Sequence, residues 1–241
     1  NILIYNAIND FDPIDEYSVE NYDIKLESVI DNKTIKYRIG YYKSFYERDL
    51  LYKNSIDFLK EKGLDLIDID APEIRLEGFA KILDEDMRHD LRSYLSSYGN
   101  KNLEVEDISS IIKYNELDSV ERAPYGQGIF KKIIKDTMSV NDFEDLKYEL
   151  MRKGNEFFNI PMDKFNLDVV LSINNYHAGY AAMAHNPCLT VPMKLRKNNE
   201  PAGLTIIGKS FEEQKLYEIG YFFEKSFKGR VPPKNWFTLP R

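Results

Sequence analysis

Residues 36–69 read KYRIGYYKSFYERDLLYKNSIDFLKEKGLDLIDI and predict three elements in series. Lys36 to Tyr42 has the composition of a strand, Phe45 to Lys62 has helical apolar spacing and is closed by Gly63, and Leu64 to Ile69 predicts a second strand. A strand, a helix and a strand at this spacing form a βαβ unit. We therefore expect two parallel strands with a right-handed crossover, and an α/β fold.

Three further strands are predicted nearer the carboxyl end. Asn166 to Ser172 predicts a short buried strand, and Cys188 to Met193 predicts another. Gly203 to Gly208 is expected to pair with the latter across the polar turn Arg196 to Pro201. The sequence therefore adds one strand and a hairpin to the βαβ unit.

Most of the other segments are predicted to be helical. A helix at the start of the chain is followed by a loop to about Asn32, and residues 72–159 show helical spacing with several breaks. No internal repeat or clear interdomain linker is present. The pattern predicts several helices in series between the βαβ unit and the later strands.

The last helix carries the most specific signals. Ser210 is its predicted N-cap, and Glu213, three residues on, completes a capping box. After Gly229 the helix is expected to end, and Trp236 and Phe237 are expected to pack the tail against the body. The predicted core face consists of Leu216, Ile219, Phe223 and Phe227.

The composition limits the classes of partner. The chain has 241 residues, with 33 Lys and Arg against 40 Asp and Glu, so its formal charge is −7. This balance argues against nucleic-acid binding through a basic surface and favours a small molecule or another protein as partner. With 43% hydrophobic residues, the chain is predicted to fold as a globular protein rather than remain disordered.

The cysteine count and the length of the apolar segments bear on the cellular compartment of the protein. Cys188 is the single cysteine, which excludes an internal disulfide framework and a multi-cysteine zinc site. No stretch has the roughly 18 apolar residues that span a bilayer, and the first residues lack the basic region and cleavage site of a signal peptide. These features predict a cytoplasmic protein with no membrane partner.

The start of the chain is unusual because core-type residues begin at once. Ile2, Leu3, Ile4, Ala7 and Ile8 come without an initiator Met or a lead-in loop. Processing at the amino terminus is one explanation. We favour another, that the chain is the downstream part of a longer protein, because domains usually begin at exposed linkers.

A search for catalytic serines gives no convincing group. A serine nucleophile needs an adjacent base, and no Gly-x-Ser-x-Gly elbow occurs. Ser110 and Lys113 match the Ser-x-x-Lys pattern, but roughly one such match is expected by chance, and a local hydroxyl with an exposed lysine explains the pair. Gly126-Gln127-Gly128 does not follow a strand, so no phosphate-binding cofactor is expected.

The positions of the histidines and the cysteine leave one alternative to a catalytic serine. His177 and His185 are eight residues apart, which is not the spacing of a helical metal pair, so no metal is predicted. These two histidines and His89 are expected to have structural roles. Cys188 lies in an apolar strand pattern, where a free cysteine usually packs as a small hydrophobe. A cysteine nucleophile paired with His177 or His185 is kept as an enzymatic alternative.

Two segments are candidates for a substrate pocket. Asn174, Asn175, Tyr176 and His177 directly follow a buried strand, where open α/β sheets place ligand-binding loops. The competing interpretation is that the asparagines cap the following helix. In the helical region, Tyr125 to Gln127 is expected to begin a helix whose amino end faces a pocket.

Several motifs occur in a fixed order near the carboxyl end. They are Leu189-Thr-Val-Pro-Met193, Glu200-Pro-Ala-Gly-Leu-Thr-Ile-Ile-Gly-Lys209, Ser210-Phe-Glu-Glu213 and a helix that holds Glu224. This order resembles the carboxy-terminal region of the amidase signature family. Earlier segments agree, so the resemblance runs from about Asn1 to Pro233; they are Asn6-Ala7-Ile8 with Asp12 and Asp15, Lys36 to Gly40, and Gly63 to Ile67.

The resemblance implies a serine amidohydrolase whose catalytic residues lie elsewhere. The family uses a Ser nucleophile, a second Ser held by a cis peptide and a Lys, carried on a Gly/Ser-rich signature upstream of this region. Here the serine pairs Ser96-Ser97 and Ser109-Ser110 lack that glycine setting, so no catalytic residue is identified in the chain. The resemblance then implies that residues 1–241 supply part of a mixed sheet, a helical cap over residues 72–160 and one wall of the substrate channel.

The resemblance also implies a function and partners. Asn174 to His177 correspond by position to pocket-lining residues. The long cap and the Arg122-Ala-Pro-Tyr-Gly-Gln127 segment look more like the 6-aminohexanoate-cyclic-dimer hydrolase branch than like the tRNA-dependent amidotransferase subunits. We expect the carboxy-terminal fragment of an enzyme that cleaves linear or cyclic amides, inactive alone and without cofactors. Its expected partners are a small amide and the missing amino-terminal part, with a homodimer left open. The alternative is a non-catalytic binding or scaffold module with the same fold.

Overall fold

The computed structural model describes residues 1–15, 17–20, 23–31 and 34–233. It divides into two compact units, one formed by Asn1–Arg75 with Arg152–Arg241 and one formed by Leu76–Met151. The two units are described separately below. Trp236 and Phe237, which were expected to pack the tail, lie outside the described residues.

The first unit contains a five-stranded mixed sheet. Its strands are β1 (Arg38–Tyr42), β2 (Asp65–Ile69), β3 (Val169–Ile173), β4 (Cys188–Leu195) and β5 (Pro201–Ile207), in the order β2-β1-β3-β5-β4. β1 is parallel to β2 and β3, whereas β5 is antiparallel to β3 and β4. The predicted α/β class, the parallel βαβ unit and the hairpin are therefore confirmed.

Eleven helices occur in the described residues. They are α1 (Ile2–Ile8), α2 (Leu26–Asp31), α3 (Lys43–Arg48), α4 (Leu50–Glu61), α5 (Phe79–Tyr98), α6 (Ile108–Glu116), α7 (Ser119–Arg122), α8 (Gly128–Ile133), α9 (Val140–Phe165), α10 (Ala178–Ala184) and α11 (Glu213–Phe227). None of them is both long enough and apolar enough to cross a membrane. The predicted series of helices after the second strand is confirmed.

The structure corrects three local predictions. The helix predicted over Phe45 to Lys62 is divided at Asp49, which has extended dihedrals and whose side chain accepts a hydrogen bond from the amide of Tyr52, so it starts α4 as an N-cap. The predicted loop before Asn32 contains α2. Ser210 does not cap the last helix, because α11 begins at Glu213 and the Ser210 hydroxyl donates to the carbonyl of His185 instead.

The sheet separates two apolar cores in the first unit. One face packs against α4 and α11 and forms the first core, whose members include Ile39, Ile56, Leu171, Leu204, Ile219 and Phe223. The other face packs at β1 and β3 against the second half of α9 and α10 and forms the second core, whose members include Tyr42, Phe157, Phe158, Val170 and Ala181. The central strands are thus buried on both faces, as is usual for parallel strands.

A buried tyrosine, Tyr52, joins β1 and β3 at the point where their pairing ends. The Tyr52 hydroxyl donates to the carbonyl of Leu171 in β3 at 2.7 Å and accepts from the amide of Tyr42 in β1 at 3.2 Å. Tyr52 is fully buried, so these backbone groups have no access to water there. The hydroxyl therefore takes the place of a backbone hydrogen bond where the two strands separate.

The second unit is a small helical assembly. Its core consists of Ile108, Ile112 and Ile133, with Leu91 and Phe130 packed against it. The buried carboxylate of Glu85 is satisfied by the Arg88 guanidinium at 2.6 Å and the amide of Met138 at 3.0 Å. The helical cap predicted over residues 72–160 remains a prediction.

Candidate functional site

A cavity of about 520 Å³ lies on the hairpin, next to the turn that follows β3. Because side chains alternate along a strand, β4 and β5 present polar and small residues to this cavity and apolar residues to the first core. On this side of the hairpin the second core includes Ile207 of β5, which lies in one cluster with Ala181 and Ala184 of α10; no other described residue of β4 or β5 belongs to that core. The lining residues are Asn174, Asn175, His177, Ala178, Cys188, Thr190, Val191, Pro192, Pro201, Ala202, Gly203, Thr205 and Ile207.

Asn174 fixes the turn to the hairpin. It has a positive φ of 47°, its amide donates to the carbonyl of Gly203 at 2.9 Å, and its Oδ1 accepts from the amide of Gly203 at 2.8 Å. The Thr205 hydroxyl donates to the Asn174 carbonyl and also contacts the Thr190 hydroxyl at 2.8 Å. Asn174 therefore bridges two strands and does not cap a helix.

Gly203 and Pro192 face each other across the hairpin. Since both backbone groups of Gly203 bond to Asn174, this is a non-hydrogen-bonded pair, and the backbone of Pro192 points away from β5. A Cβ on Gly203 would lie 2.4 Å from Cγ2 of Thr190. Glycine is thus required here by the close approach of the Thr190 side chain on the cavity face.

His177 is the buried titratable group of the cavity lining. It is buried, with its Nδ1 2.8 Å from the hydroxyl of Ser172, and its ring lies 4.4 Å from the ring of Tyr42 and 5.1 Å from that of Phe157. Burial lowers the pKa of His177 from 6.5 to about 4. The imidazole is therefore neutral at physiological pH.

Cys188 lines the cavity but is not activated. Cys188 is an exposed residue, but desolvation of its sulfur by the surrounding protein raises the pKa of the thiol from 9.0 to about 11, so the nucleophilic thiolate is scarce near neutral pH. His185, one of its two suggested bases, ends α10 with a left-handed conformation and does not line the cavity. The cavity lining thus offers no nucleophile activated by a neighbouring base.

The structure brings together three of the six predicted site residues. Asn174, Asn175 and His177 line the cavity, whereas Tyr176 lies on the same turn, is exposed and packs edge-on against Phe45 at 5.0 Å. Three polar side chains at or beside the cavity were not predicted, although alternation along the hairpin could have indicated two of them. They are Ser172, Thr190 and Thr205.

The other two predicted residues belong to the second unit. Tyr125 and Gln127 line a separate cavity of about 570 Å³ there. Tyr125 is fully exposed, and Gln127 accepts from Asn115 and donates to the carbonyl of Ile112. Gln127 precedes α8, so the predicted helix start beside a pocket is present.

The remaining candidates have structural roles. Ser110 forms a capping box with Asp107 at the start of α6, and Lys113 is exposed, which agrees with the local interpretation of that pair. Within the residues that the structure describes, no group of three His, Cys, Asp or Glu side chains is placed to hold a metal ion.

The chain is similar in sequence to proteins of tRNA-dependent amidotransferases, although no family model matches it. A subunit of the glutamyl-tRNA(Gln) amidotransferase of Caldanaerobacter subterraneus subsp. tengcongensis is 25% identical over 268 residues, which is 96% of this chain and 53% of that protein. The corresponding subunit of Rhizorhabdus wittichii is 22% identical over 271 residues, covering 98% and 54%. The chain spans about half the length of the curated relatives it matches.

Solved amidase structures share the fold. An amidase family protein from Bacillus anthracis str. Ames gives a TM-score of 0.87 at 25% identity, covering 97% of this chain and 47% of that one. The peptide amidase of Stenotrophomonas maltophilia gives 0.70 at 20% identity, covering 82% and 44%. A 6-aminohexanoate cyclic dimer hydrolase gives 0.60 at 13% identity, covering 90% and 50%.

These similarities agree with one another and with the sheet topology. The mixed five-stranded sheet with flanking helices matches amidase signature structures. The curated relatives match the same chain over nearly its whole length. In both sequence and fold the chain is therefore similar to amidases and amidotransferases.

Proposed function

We propose that this chain is the carboxy-terminal part of a serine amidohydrolase that cleaves amide C–N bonds through an acyl-enzyme. Its residues supply the sheet, the helices and one wall of the substrate cavity, while the nucleophile lies on another part of the protein. The observation that carries this proposal is that nearly the whole chain superposes on about half of an amidase family protein.

The chemistry of the cavity supports this division of roles. Its lining combines neutral hydrogen-bonding groups, such as Asn174 and His177, with apolar surface, as substrate pockets usually do. Ser172 is buried and bonded to His177, and the thiol of Cys188 is not activated. The cavity can therefore bind a substrate, but its described lining does not supply the attacking group.

The surface of α1 supports a further packing partner. Leu3, Ile4 and Ile8 are 71%, 65% and 76% exposed, and the helix buries none of its residues. A cavity of about 380 Å³, lined by residues of α1, β4 and α11, lies beside it. Apolar side chains clustered on one helix usually contact a protein surface, so we propose that the amino-terminal part of the enzyme covers them.

In the complete protein, the proposed reaction follows the chemistry implied by the family resemblance. The Ser oxygen attacks the amide carbonyl, a bond forms to the carbonyl carbon, and the C–N bond breaks as the amine leaves with a proton delivered through the Ser-Lys relay. Water then attacks the ester and releases the carboxylic acid. The Ser hydroxyl is restored, so the net reaction consumes one water molecule per amide.

The proposed substrates are linear or cyclic amides. The likeness to the 6-aminohexanoate cyclic dimer hydrolase supports only a shared fold, and its TM-score is below that of the peptide amidase. The matches to amidases and amidotransferases do not favour the alternative of a non-catalytic module. Acyclic and cyclic amides are therefore both substrates to test.

The test compares these 241 residues alone with the product of the complete reading frame. For both proteins we measure the ammonia released from hexanamide and the amino acid formed by ring opening of a cyclic amide. We expect hydrolysis by the longer product and none by the 241 residues. Hydrolysis by the 241 residues alone, abolished by Cys188→Ser, would contradict the proposal and favour the cysteine mechanism.

A further inference from the structure

The cavity beside β4 and β5 is uncharged, and this property bears on which ligands it accepts. Its lining contains no acidic or basic side chain other than the histidine and the cysteine. Burial keeps the pKa of His177 at about 4, and desolvation of the sulfur keeps that of Cys188 at about 11, so both are neutral near pH 7. A carboxylate placed against this wall would lose water without gaining a charged partner.

One ring nitrogen of His177 is hydrogen-bonded within the protein, and the other has no partner among the described residues. Its Nδ1 is held by the Ser172 hydroxyl at 2.8 Å, while the ring is fixed between the rings of Tyr42 and Phe157. Among the hydrogen bonds of the described residues Nε2 has no partner, and His177 is one of the residues that line the cavity, so Nε2 is the ring atom left to bond to a ligand. The side chain is thus fixed in one orientation before any ligand binds.

The buried serine determines the tautomer. Ser172 is fully buried, and among the hydrogen bonds of the described residues its hydroxyl has Nδ1 of His177 as its partner. A buried hydroxyl proton left without an acceptor is costly, so the hydroxyl donates to Nδ1. A neutral imidazole carries a single ring proton, which must then lie on Nε2. His177 therefore presents a donor to the cavity.

Asn174 adds a second neutral donor to the same wall. Its Oδ1 accepts from the amide of Gly203, which leaves the side-chain nitrogen as the group available to a ligand. Two fixed neutral donors suit an uncharged acceptor such as a carbonyl oxygen. A carboxylate can accept from the same two donors, but its charge meets no cationic side chain in this lining.

We propose that His177 is a specificity-determining residue whose Nε2–H donates to an uncharged carbonyl oxygen, so that the cavity selects amides and excludes carboxylates. This inference rests on the proposed function, because it identifies the cavity as the place where an amide substrate binds. The roles of the two ring nitrogens can be tested separately, since an asparagine side chain mimics Nδ1 and a glutamine side chain mimics Nε2.

The first test is binding of hexanamide and hexanoate to the 241-residue chain, followed by nitrogen NMR of the histidine rings. We expect an Nε2–H tautomer for free His177 and saturable shifts with hexanamide but not with hexanoate. His177→Asn should weaken hexanamide binding about three- to tenfold, the loss of one hydrogen bond, and His177→Gln should weaken it less. His185→Asn, outside the cavity, is the matched control.

Any of four other outcomes would overturn the inference. They are an Nδ1–H tautomer, equal binding of hexanoate, no saturable binding of hexanamide, or a larger loss for His177→Gln than for His177→Asn. Ser172→Ala provides an independent check, because freeing Nδ1 should produce a mixture of tautomers. The readout also separates the two proposals: hexanamide binding without hydrolysis by the complete protein would contradict the proposed function and leave the role of His177 standing.

Discussion

The faces of the sheet are covered differently at its centre and at its hairpin edge. Around β1 and β3 both faces are covered, and every residue of β3 is buried. At β4 and β5 one face packs against the first core, while the other carries Thr190, Thr205 and Gly203 beside an open cavity. The difference shows that the closed region around β1 and β3 stabilises the fold, whereas the open region at β4 and β5 presents hydrogen-bonding groups.

The largest expected effect comes from the closed face. Phe223 is fully buried between Phe58 and Phe227, with ring centroids at 6.1 and 4.6 Å. Phe223→Ala should lower the free energy of unfolding by about 3–5 kcal/mol, because a large buried ring leaves a cavity. Urea denaturation followed by circular dichroism measures this loss.

The control lies on the open face of the hairpin. Thr190→Ala removes an exposed side chain and its 2.8 Å contact with Thr205, so a cost of about 0.5–1.5 kcal/mol is expected. Equal losses for Phe223→Ala and Thr190→Ala would contradict the distinction between a face that stabilises the fold and a face that binds ligands.

The second prediction concerns pH and the histidine between the two regions. Because the folded pKa of His177 is about 4 and its ordinary value is 6.5, the unfolded chain binds the proton first as pH falls. The stability that depends on neutral His177 is complete above about pH 6.5 and declines down to about pH 4, by about 3 kcal/mol in all. Urea midpoints at successive pH values measure this decline.

His177→Gln is the matched variant, since glutamine does not titrate. The difference in unfolding free energy between wild type and variant should change between pH 6.5 and 4 and be flat above that range. A constant difference across the whole range would show that His177 is not held neutral by burial.

The third prediction addresses the junction of β1 and β3 in the closed region. Tyr52→Phe leaves the amide of Tyr42 and the carbonyl of Leu171 buried without their partner, so a loss of about 1–3 kcal/mol is expected. Tyr46→Phe removes a hydroxyl that bonds to the partly exposed Asp57 and should cost less than about 1 kcal/mol. If the two variants lose the same stability, the Tyr52 hydroxyl does not replace a strand hydrogen bond.

The smallest effect is kinetic and belongs to the open region. A thiol pKa of about 11 in place of 9.0 lowers the thiolate fraction of Cys188 roughly 100-fold. The thiolate of a less acidic thiol is intrinsically more nucleophilic, which offsets part of this loss. Alkylation should therefore be about tenfold slower than in the unfolded chain. Iodoacetamide labelling at pH 8, with and without urea, followed by mass spectrometry, measures the ratio. Faster labelling of the folded chain would instead identify Cys188 as a reactive group.

The sequence predicted the parallel unit and the hairpin because their signals are local. Apolar alternation, helix length and the closing Gly63 act within 34 residues of chain. The break at Asp49 was missed because the apolar spacing continues across it, and an aspartate that can cap one helix also fits on the surface of another. Ser210 was misassigned because its hydroxyl bonds to His185, a partner 25 residues away.

The site was predictable only in part for the same reason. The turn after β3 could be located from the strand that precedes it, which identified Asn174, Asn175 and His177. The role of Asn174 depends on the register between β3 and β5, and the neutrality of His177 depends on the rings packed around it. Neither the register nor the packing can be derived from the spacing of the residues.

The proline in β4 has a consequence for association between copies of the protein. Among the described residues β4 pairs with β5 alone, and the backbone of Pro192 is directed to the unpaired edge. Proline has no amide proton, and the strand register shifts between Pro192 and Lys194, so the row of donors along this edge is interrupted. A strand from another molecule cannot extend the sheet continuously here, and Gly229 already lies against this edge, since a Cβ at that position would clash with the carbonyl oxygen of Pro192.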